Sequence, residues 1–520
     1  MYYYGIDLGT TYSCIARADD DGNVEIIKNL EGKDITPSVV EFRSKDERAV
    51  GETAKAAMII NAENTVSFIK QKMGDSTYRF SFNGIEYPPE QISAFILKKL
   101  VEDAQKLTGD TITEAVITVP AYFGINERMA TANAGKIAGL EVLGNVNEPT
   151  AAVIAYAAAH KDLDGKIVLI YDLGGGTFDV TIAEINGGNV TVICTNGDHS
   201  LGGKDWDAKV REFVTGEFID ATNADSADLN DGEFQSVLVV RTEEAKKQLT
   251  GRTSTDIPLR LDKDHKASIP LSREKFDGLT AGLLGRTIAL TDEAISQAKN
   301  KISSKGVPCD KFDEIILVGG SARMPQVEEI LKKKYGVTPK MFDFDLAVAM
   351  GAALIARMIK NPPPPEPGKS LSLGGGVEAP VVDVTSKSYG IFAIGDGDEK
   401  ILSNVLLKNT PIPCSATKIY TTISANMSYV SVDIYESDTV DAAVDRGFGT
   451  KIADGELKLP PGLPKGAPIE VTFSLDRNGL LTLTAVELTH GMKCKVEVKV
   501  QGLSDAEVEG LAMATKSTRV

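Results

Sequence analysis

The sequence predicts an α/β region of about 360 residues followed by a compact antiparallel β domain, on three observations. Apolar strand-like runs alternate with helical periods up to about Lys360. The stretch "NPPPPEPGKSLSLGGG" then breaks both patterns and reads as an extended connector. Beyond Glu378, "YVSVDIYES" and "PIEVTFSLDRNGLLTLTAVEL" alternate with period two, and Asp476 to Gly479 supplies a hairpin turn.

The bulk properties narrow the function. A chain of 520 residues is long enough for about three or four domains with sizeable cores. A formal charge of -17 and a pI near 4.9 oppose phosphate backbones and anionic membranes as general partners. The five cysteines are odd in number and far apart, which gives neither a disulfide framework nor a CxxC metal site. Four scattered histidines leave few ligands for zinc or haem. The start, "MYYYGIDLG", has no basic segment followed by an apolar core, and no stretch reaches bilayer length, so a reducing, cytoplasmic setting is expected.

Two segments carry the chemistry. Tyr2 to Ile6 reads as a strand, followed by Asp7, Leu8, Gly9, Thr10 and Thr11, with a second strand from Cys14 to Ala16. Ile167 to Tyr171 reads as another strand, followed by Asp172, Gly174, Gly175, Gly176 and Thr177, and then a strand from Phe178 to Ile185. Glycine lets a backbone approach an anion closely, and its amides can cradle phosphate. Two such strand, acid, glycine, threonine turns, about 165 residues apart, point to a duplicated unit whose turns face each other. Facing acids at Asp7 and Asp172 would repel a bare polyphosphate, so a cation is expected, most simply Mg2+ held through water. A plain structural hairpin explains either turn alone, but not the pair. Neither turn has the P-loop or the dinucleotide spacing.

A third segment, "EIILVGGSARMPQVEEIL", predicts a strand from Glu314 to Val318, a turn at Gly319, Gly320 and Ser321, and a helix carrying Arg323. Its glycines suit an anion or a nucleoside edge, and a guanidinium can stack on a base. In "VRTEEAKKQLTGR", Glu243, Lys246, Lys247 and Thr250 fall on overlapping helical faces, which by itself reads as a solvated helix.

Together these segments resemble the seventy-kilodalton heat-shock chaperones, the DnaK family. The segments "GIDLGTTYSC", "ITVPAYF", "NEPTAAVIAY", "DLGGGTFDV", "NGDHSLGGKDWD" and "ILVGGSARMP" occur in family order over nearly the whole chain. The resemblance implies a two-lobed, actin-like ATPase domain at 1–362, a linker at 363–380, a peptide-binding β-sandwich at 381–502 and the start of a helical lid at 503–520. It implies ATP or ADP with Mg2+, held by Asp7, Gly9, Thr10, Thr11 and Tyr12 in the first turn and by Gly174, Gly175, Gly176 and Thr177 in the second. The nucleotide set extends to Gly202, Gly203, Glu243, Lys246, Lys247, Thr250, Gly319, Gly320, Ser321, Arg323 and Asp345, with Lys247 and Arg323 flanking the adenine. Lys70, in "FIKQKMG", matches the lysine reaching the γ-phosphate and attacking water; without the resemblance it is a bland surface lysine. Lys70, Glu148, Asp172 and Thr177 are the implied catalytic group, and Asp7, Asp172, Glu148 and Asp179 surround the hydrated metal. Pro120, Glu148, Val381, Val382 and Asp383 are the implied coupling route to the second domain.

In the β domain the positions matching the peptide channel are Ile391, Ile394, Tyr420, Ile423, Tyr429, Val430 and Val432, though inward apolar positions of a sandwich would look the same. The expected partners are extended apolar polypeptides, a J-domain co-chaperone and a nucleotide-exchange factor. The chain departs from the family at several points. Its linker has Val381 and Val382 where leucines are usual, and Ser386 replaces a proline. Lys204 stands where an acid is usual, and Asp345 lacks its preceding proline. Ser504 and Glu507 predict a capped helix near the end, with room for only the first turns of a lid, so faster substrate release is expected. A small-molecule kinase of the same fold, which would leave the β domain without a task, and an actin-like polymer, whose longitudinal packing the attached β domain opposes, are the alternative readings.

Overall fold

The computed structural model describes residues 1–520 apart from 187–188, 300, 304–305, 307, 344–345, 362–380, 396–398, 477–480 and 498–501. The proline- and glycine-rich connector, Asp345 and positions 477–479 of the expected hairpin turn thus lie outside the described residues.

Two sheets in the α/β region share one plan. In the first, the strand Tyr3–Asp7 pairs parallel with Glu114–Val119 and antiparallel with Tyr12–Ala18; Glu141–Asn147 and Val24–Ile27 extend the two sides. In the second, Lys166–Leu173 pairs parallel with Glu314–Val318 and antiparallel with Phe178–Asn186; Lys340–Met341 and Asn189–Asp198 extend it. Strand for strand the order and the directions repeat, as the duplicated turns predict. The second sheet gains one further strand, Val381–Val382, laid parallel to Asn189–Asp198 with Val190 opposite Val381.

"KIVLIYDL" forms a strand with every residue after the first buried, because it is central in a mixed sheet whose two faces are both covered by apolar packing. Between the two sheets lie the alanine-rich helices Glu148–Ala159 and Ala347–Lys360. One apolar cluster takes Tyr3 and Ala16 from the first sheet, Val168 and Ile170 from the second, and Ala151, Ala152, Ala352 and Ala353 from these helices. Small side chains are required there. A side-chain carbon at Gly351 would stand 1.8 Å from the carbonyl oxygen of Ala151, and one at Gly5 would stand 2.1 Å from the amide of Ala353.

After Asp383 the chain builds two antiparallel sheets around a common core. One orders Ala443–Asp445, Lys400–Leu406, Ser388–Ile394, Ile434–Ser437 and Thr450–Ala453; the other orders Cys414–Thr421, Pro468–Leu475, Leu481–Glu487 and Lys493–Glu497. In Pro468–Leu475 every second residue is buried, so the period-two pattern places Ile469, Val471, Phe473 and Leu475 in that core.

This β region is docked on the α/β region. Ile125, the first residue of the helix Ile125–Ile137, is buried in the β-region core. The hydroxyl of Ser386 donates to the carbonyl of Phe123 at 2.8 Å. Asn409, in a left-handed conformation at φ 63°, accepts from the amide of Thr195 at 3.0 Å and donates to Gln297 at 2.8 Å.

The final helix, Asp505–Ser517, carries the expected capping box: the amide of Ser504 donates to Glu507 Oε2 at 2.8 Å, and Ser504 Oγ accepts from the Glu507 amide at 3.3 Å. It lies on the α/β region, with Val508 packed among Ala94 and Ile137. Lys98 Nζ donates to the carbonyls of Thr515, Lys516 and Thr518 at 2.9, 3.2 and 2.6 Å, satisfying the helix C-terminus. Arg519 exchanges backbone hydrogen bonds with Asp46 and Arg48.

The contrast between crowded and open glycines is testable. Gly351→Val overpacks the inter-sheet layer and costs about 1–3 kcal/mol of unfolding free energy. Gly282→Ala, in the helix Arg273–Ala298 with open space at its side-chain position, leaves stability unchanged or raises it by up to about 1 kcal/mol. Urea denaturation of the two variants checks both.

Candidate functional site

The two acid and glycine turns meet face to face. A side-chain carbon at Gly175 would lie 1.8 Å from Thr11 Oγ1, and one at Gly176 would lie 2.7 Å from Thr10 Cγ2. The third wall is as close. A side-chain carbon at Gly202 would fall 2.5 Å from the backbone of Gly176, and one at Gly319, at φ 81°, would fall 2.5 Å from Asp172 Oδ1. Backbone bonds fix these approaches: Gly174 donates to Thr177, Gly203 to Gly174 and Lys204 to Gly175, at 3.0, 2.9 and 2.8 Å. Gln71 adds a side-chain bond to the Gly176 carbonyl at 3.2 Å. The glycines are thus required by the meeting of the turns as much as by any ligand.

Carboxylates gather under the turns. Asp7 accepts from Thr118 Oγ1 at 2.9 Å. Asp172 and Asp179 are buried, and burial, then Glu148, Asp179 and Asp7, push the Asp172 carboxyl well above its ordinary range against the pull of Lys70. Burial, then Glu148, push Asp179 up to about 8, again opposed by Lys70. Lys70 is 5 % exposed and forms an ion pair with Glu148, itself the first residue of its helix. Lys70 is therefore no surface lysine: the left-handed Phe68, at φ 57°, turns the short helix Ile69–Lys72 inward.

The residues fit a hydrated divalent cation with a polyphosphate. Asp179 Oδ1 and Thr11 Oγ1 are buried with no hydrogen-bond partner, and the crowded acids raise one another's proton affinity, a strain that a cation relieves. The turn amides supply donors for phosphate.

The helix Gly232–Gly251 closes the cleft from the far side. Lys246 reaches the Gly203 carbonyl at 3.0 Å and Asp207 at 2.8 Å, beside Ser321. Lys247 and Lys55 flank Glu243 at 2.7 and 3.0 Å and both donate to the Tyr12 hydroxyl, at 3.1 and 2.9 Å. Tyr12 thus stands between two ammonium groups, one from each side of the cleft. The solvated-helix reading is corrected: its charges are tied across the cleft. Thr250 contributes its carbonyl to Arg273 at 3.2 Å. Arg323 also needs correction. It ends a short helical turn, Gly320–Arg323, and the α-helix starts only at Pro325, which cannot donate to a preceding turn.

A relay of polar contacts leaves the acids toward the β region. Glu148 follows Asn147, whose amide donates to Asp383 Oδ1 at 2.9 Å; Thr150 reaches Asp383 Oδ2 at 3.4 Å. Arg128 binds Asn147 and the Phe123 carbonyl and faces Asp383. Pro120, buried, receives the Phe123 amide on its carbonyl at 3.1 Å. Lys408 reaches Asn196 at 3.3 Å and faces Asp179. Arg128, Lys408 and Lys55 are absent from the sequence reading, and Asn147 and Thr118 appear there only inside quoted segments with no role assigned: isolated polar residues acquire meaning only when the chain brings their partners.

Of the seven expected channel positions, Ile391 and Val432 are buried in the β-region core, while Tyr420 and Val430 pack against it. Tyr420 also donates to Ser403 at 2.9 Å. Ile394, Ile423 and Tyr429 are exposed.

Paired glycine turns that meet over Asp7, Asp172, Asp179 and Glu148, carried on two sheets of repeated strand order, define a protein of the α/β class. A protein-family model described as Hsp70 protein matches residues 3–82 and 76–519, and the chain belongs to the Hsp70 family. Proteins of this family are ATPases that use Mg2+ and generally serve as ATP-dependent chaperones.

Glu243 gives a pH test. Burial would raise its carboxyl, but Lys55 and Lys247 outweigh burial and hold it at about 2, below its reference value of 4.5. Its depressed value means that its stabilisation is present above 4.5 and is lost as pH falls toward 2. Glu243→Gln therefore costs about 1–3 kcal/mol at neutral pH, a deficit that shrinks on acidification below 4.5. Urea midpoints across pH measure it.

Proposed function

We propose that this chain is a two-domain chaperone in which Mg·ATP, bound and hydrolysed in residues 1–362, controls the affinity of a β-sandwich at 381–502 for extended apolar polypeptide. The observation that carries this reading is physical continuity. The acids beneath the turns lead through Glu148 and Asn147 to Asp383, and the strand Val381–Val382 is part of the second sheet.

The cleft residues divide the work. Turn amides at Gly9 to Thr11 and Gly174 to Thr177 orient the phosphates between two actin-like lobes. Asp7, Asp172, Glu148 and Asp179 would hold Mg2+ through water, and the cation supplies charge neutralisation on the phosphoryl group. Lys70 places positive charge beside that group, and Thr177 holds the water in line. Tyr12, Lys247 and Glu243 close one side of the nucleoside site, and Arg323, Gly319, Gly320 and Ser321 the other. Occupation redistributes the charge around Lys70 and Glu148, whose ion pair borders Asn147. Release of Asp383 then frees the β region.

Ile394, Ile423 and Tyr429 are exposed and accessible to an apolar segment, whereas Ile391 and Val432 support the channel from the core. A J-domain co-chaperone and a nucleotide-exchange factor are the proposed partners, in a cytoplasmic setting.

Anisotropy of a fluorescent leucine-rich peptide in ATP and in ADP tests the reading. Faster peptide release in ATP is expected. Lys70→Ala lowers the hydrolysis rate by about a hundredfold or more while leaving nucleotide binding largely intact. Asn147→Ala leaves hydrolysis in place but weakens the effect of ATP on peptide release. Peptide binding that ignores nucleotide in the parent chain overturns the coupling.

A further inference from the structure

The docked interface contains a pair of acids that the nucleotide relay does not use. Glu127 lies in the first turn of the helix Ile125–Ile137, and Glu436 lies in the β-region strand Ile434–Ser437. Their carboxylates converge over Gly124. A side-chain carbon built there would stand 2.6 Å from Glu436 Oε2 and 3.1 Å from Glu127 Oε2. Both Oε2 atoms are buried and neither has a hydrogen-bond partner. Two ionised carboxylates in that position would repel each other across the interface, with burial removing the water that would screen them.

The surrounding charges do not compensate. Lys387, at the edge of the strand Ser388–Ile394, faces both acids, but its ammonium is bonded to Asp438 at 2.6 Å, and Asp438 itself adds negative charge. Arg128, on the same helix as Glu127, is committed to Asn147 and the Phe123 carbonyl. Tyr389 faces the pair as a neutral phenol, its ionisation opposed first by burial and then by Glu436. A proton between the two acids would turn repulsion into a hydrogen bond.

We propose that Glu436 holds a proton in the docked interface and donates it to the Glu127 carboxylate, so that docking of the β region takes up a proton and undocking releases it. Domain coupling is thereby sensitive to pH near neutrality. The interface also sets the range: burial, then Glu127, raise the Glu436 carboxyl from 4.5 to about 7. Because the docked state has the higher proton affinity, docking is strongest below 4.5, weakens as pH rises, and levels off above about 7.

Hydrogen exchange at the backbone of Val381 to Val384 in the full-length chain reads the docking equilibrium. Protection factors divide out the intrinsic pH dependence of exchange and report rare undocking. Between pH 5.5 and 8.0 the parent chain is expected to lose about thirtyfold in protection. The Glu127→Gln/Glu436→Gln variant is expected to show a flat profile, with protection at pH 8.0 no lower than the parent's. Glu127→Gln alone removes most of the slope and serves as the test if the double variant fails to fold. A flat parent profile, or a full slope retained in either variant, overturns the proposal. So does protection at pH 8.0 that is restored by added Ca2+ or Mg2+ and abolished by EDTA, because a cation would then hold the pair.

Discussion

Everything in the α/β region depends on how closely two backbone turns approach each other. Where Gly175 faces Thr11 and Gly202 faces Gly176, there is room for a hydrogen and nothing larger. That contact brings the two sheets into one cleft and forces four acids into a space where none is comfortable alone. The acids then require Lys70, and Lys70 requires Glu148, whose chain neighbour holds the β region. The sequence of dependences runs from steric exclusion to electrostatics to domain contact.

The fold was legible in the sequence wherever the physics is local. The continuous apolar run before Asp172 and the alternation from Pro468 to Leu475 state their burial outright. The Ser504 and Glu507 cap was readable because both partners lie within one turn. The paired turns were legible because they occur twice, and the repeated strand order follows from that repetition. The helix bearing Arg323 was placed too early because the pattern of side chains does not distinguish a short turn from the helix that Pro325 begins.

The site was legible only in its acids, glycines and threonines. Lys70 and the Gly232–Gly251 helix look like solvent-facing charge until their partners arrive from 78 and 188 residues away, respectively. Tyr12 carried a phosphate-loop assignment, yet its phenol joins Lys55 and Lys247 across the cleft. Arg128 gave no signal, and Asn147 stood in a quoted segment without a role, because a single polar residue on a strand or helix has no preferred partner until topology supplies one. Among the channel positions, apolarity alone did not separate core support such as Val432 from an exposed contact such as Tyr429.

The helix Asp505–Ser517 has a mechanical consequence. Gripped by Lys98 at its C-terminus and followed by the Arg519 backbone pairing, it moors the far end of the β region to the same body that holds the near end through Val381 and Val382. The β region is slung between two anchorages. Losing either one leaves the other as a tether that keeps the β region at a high effective concentration beside its dock. Complete separation needs both moorings and the docking contacts at Ile125, Ser386 and Asn409 to fail together, and recapture after a single failure starts from a closely held end rather than from the full reach of the connector.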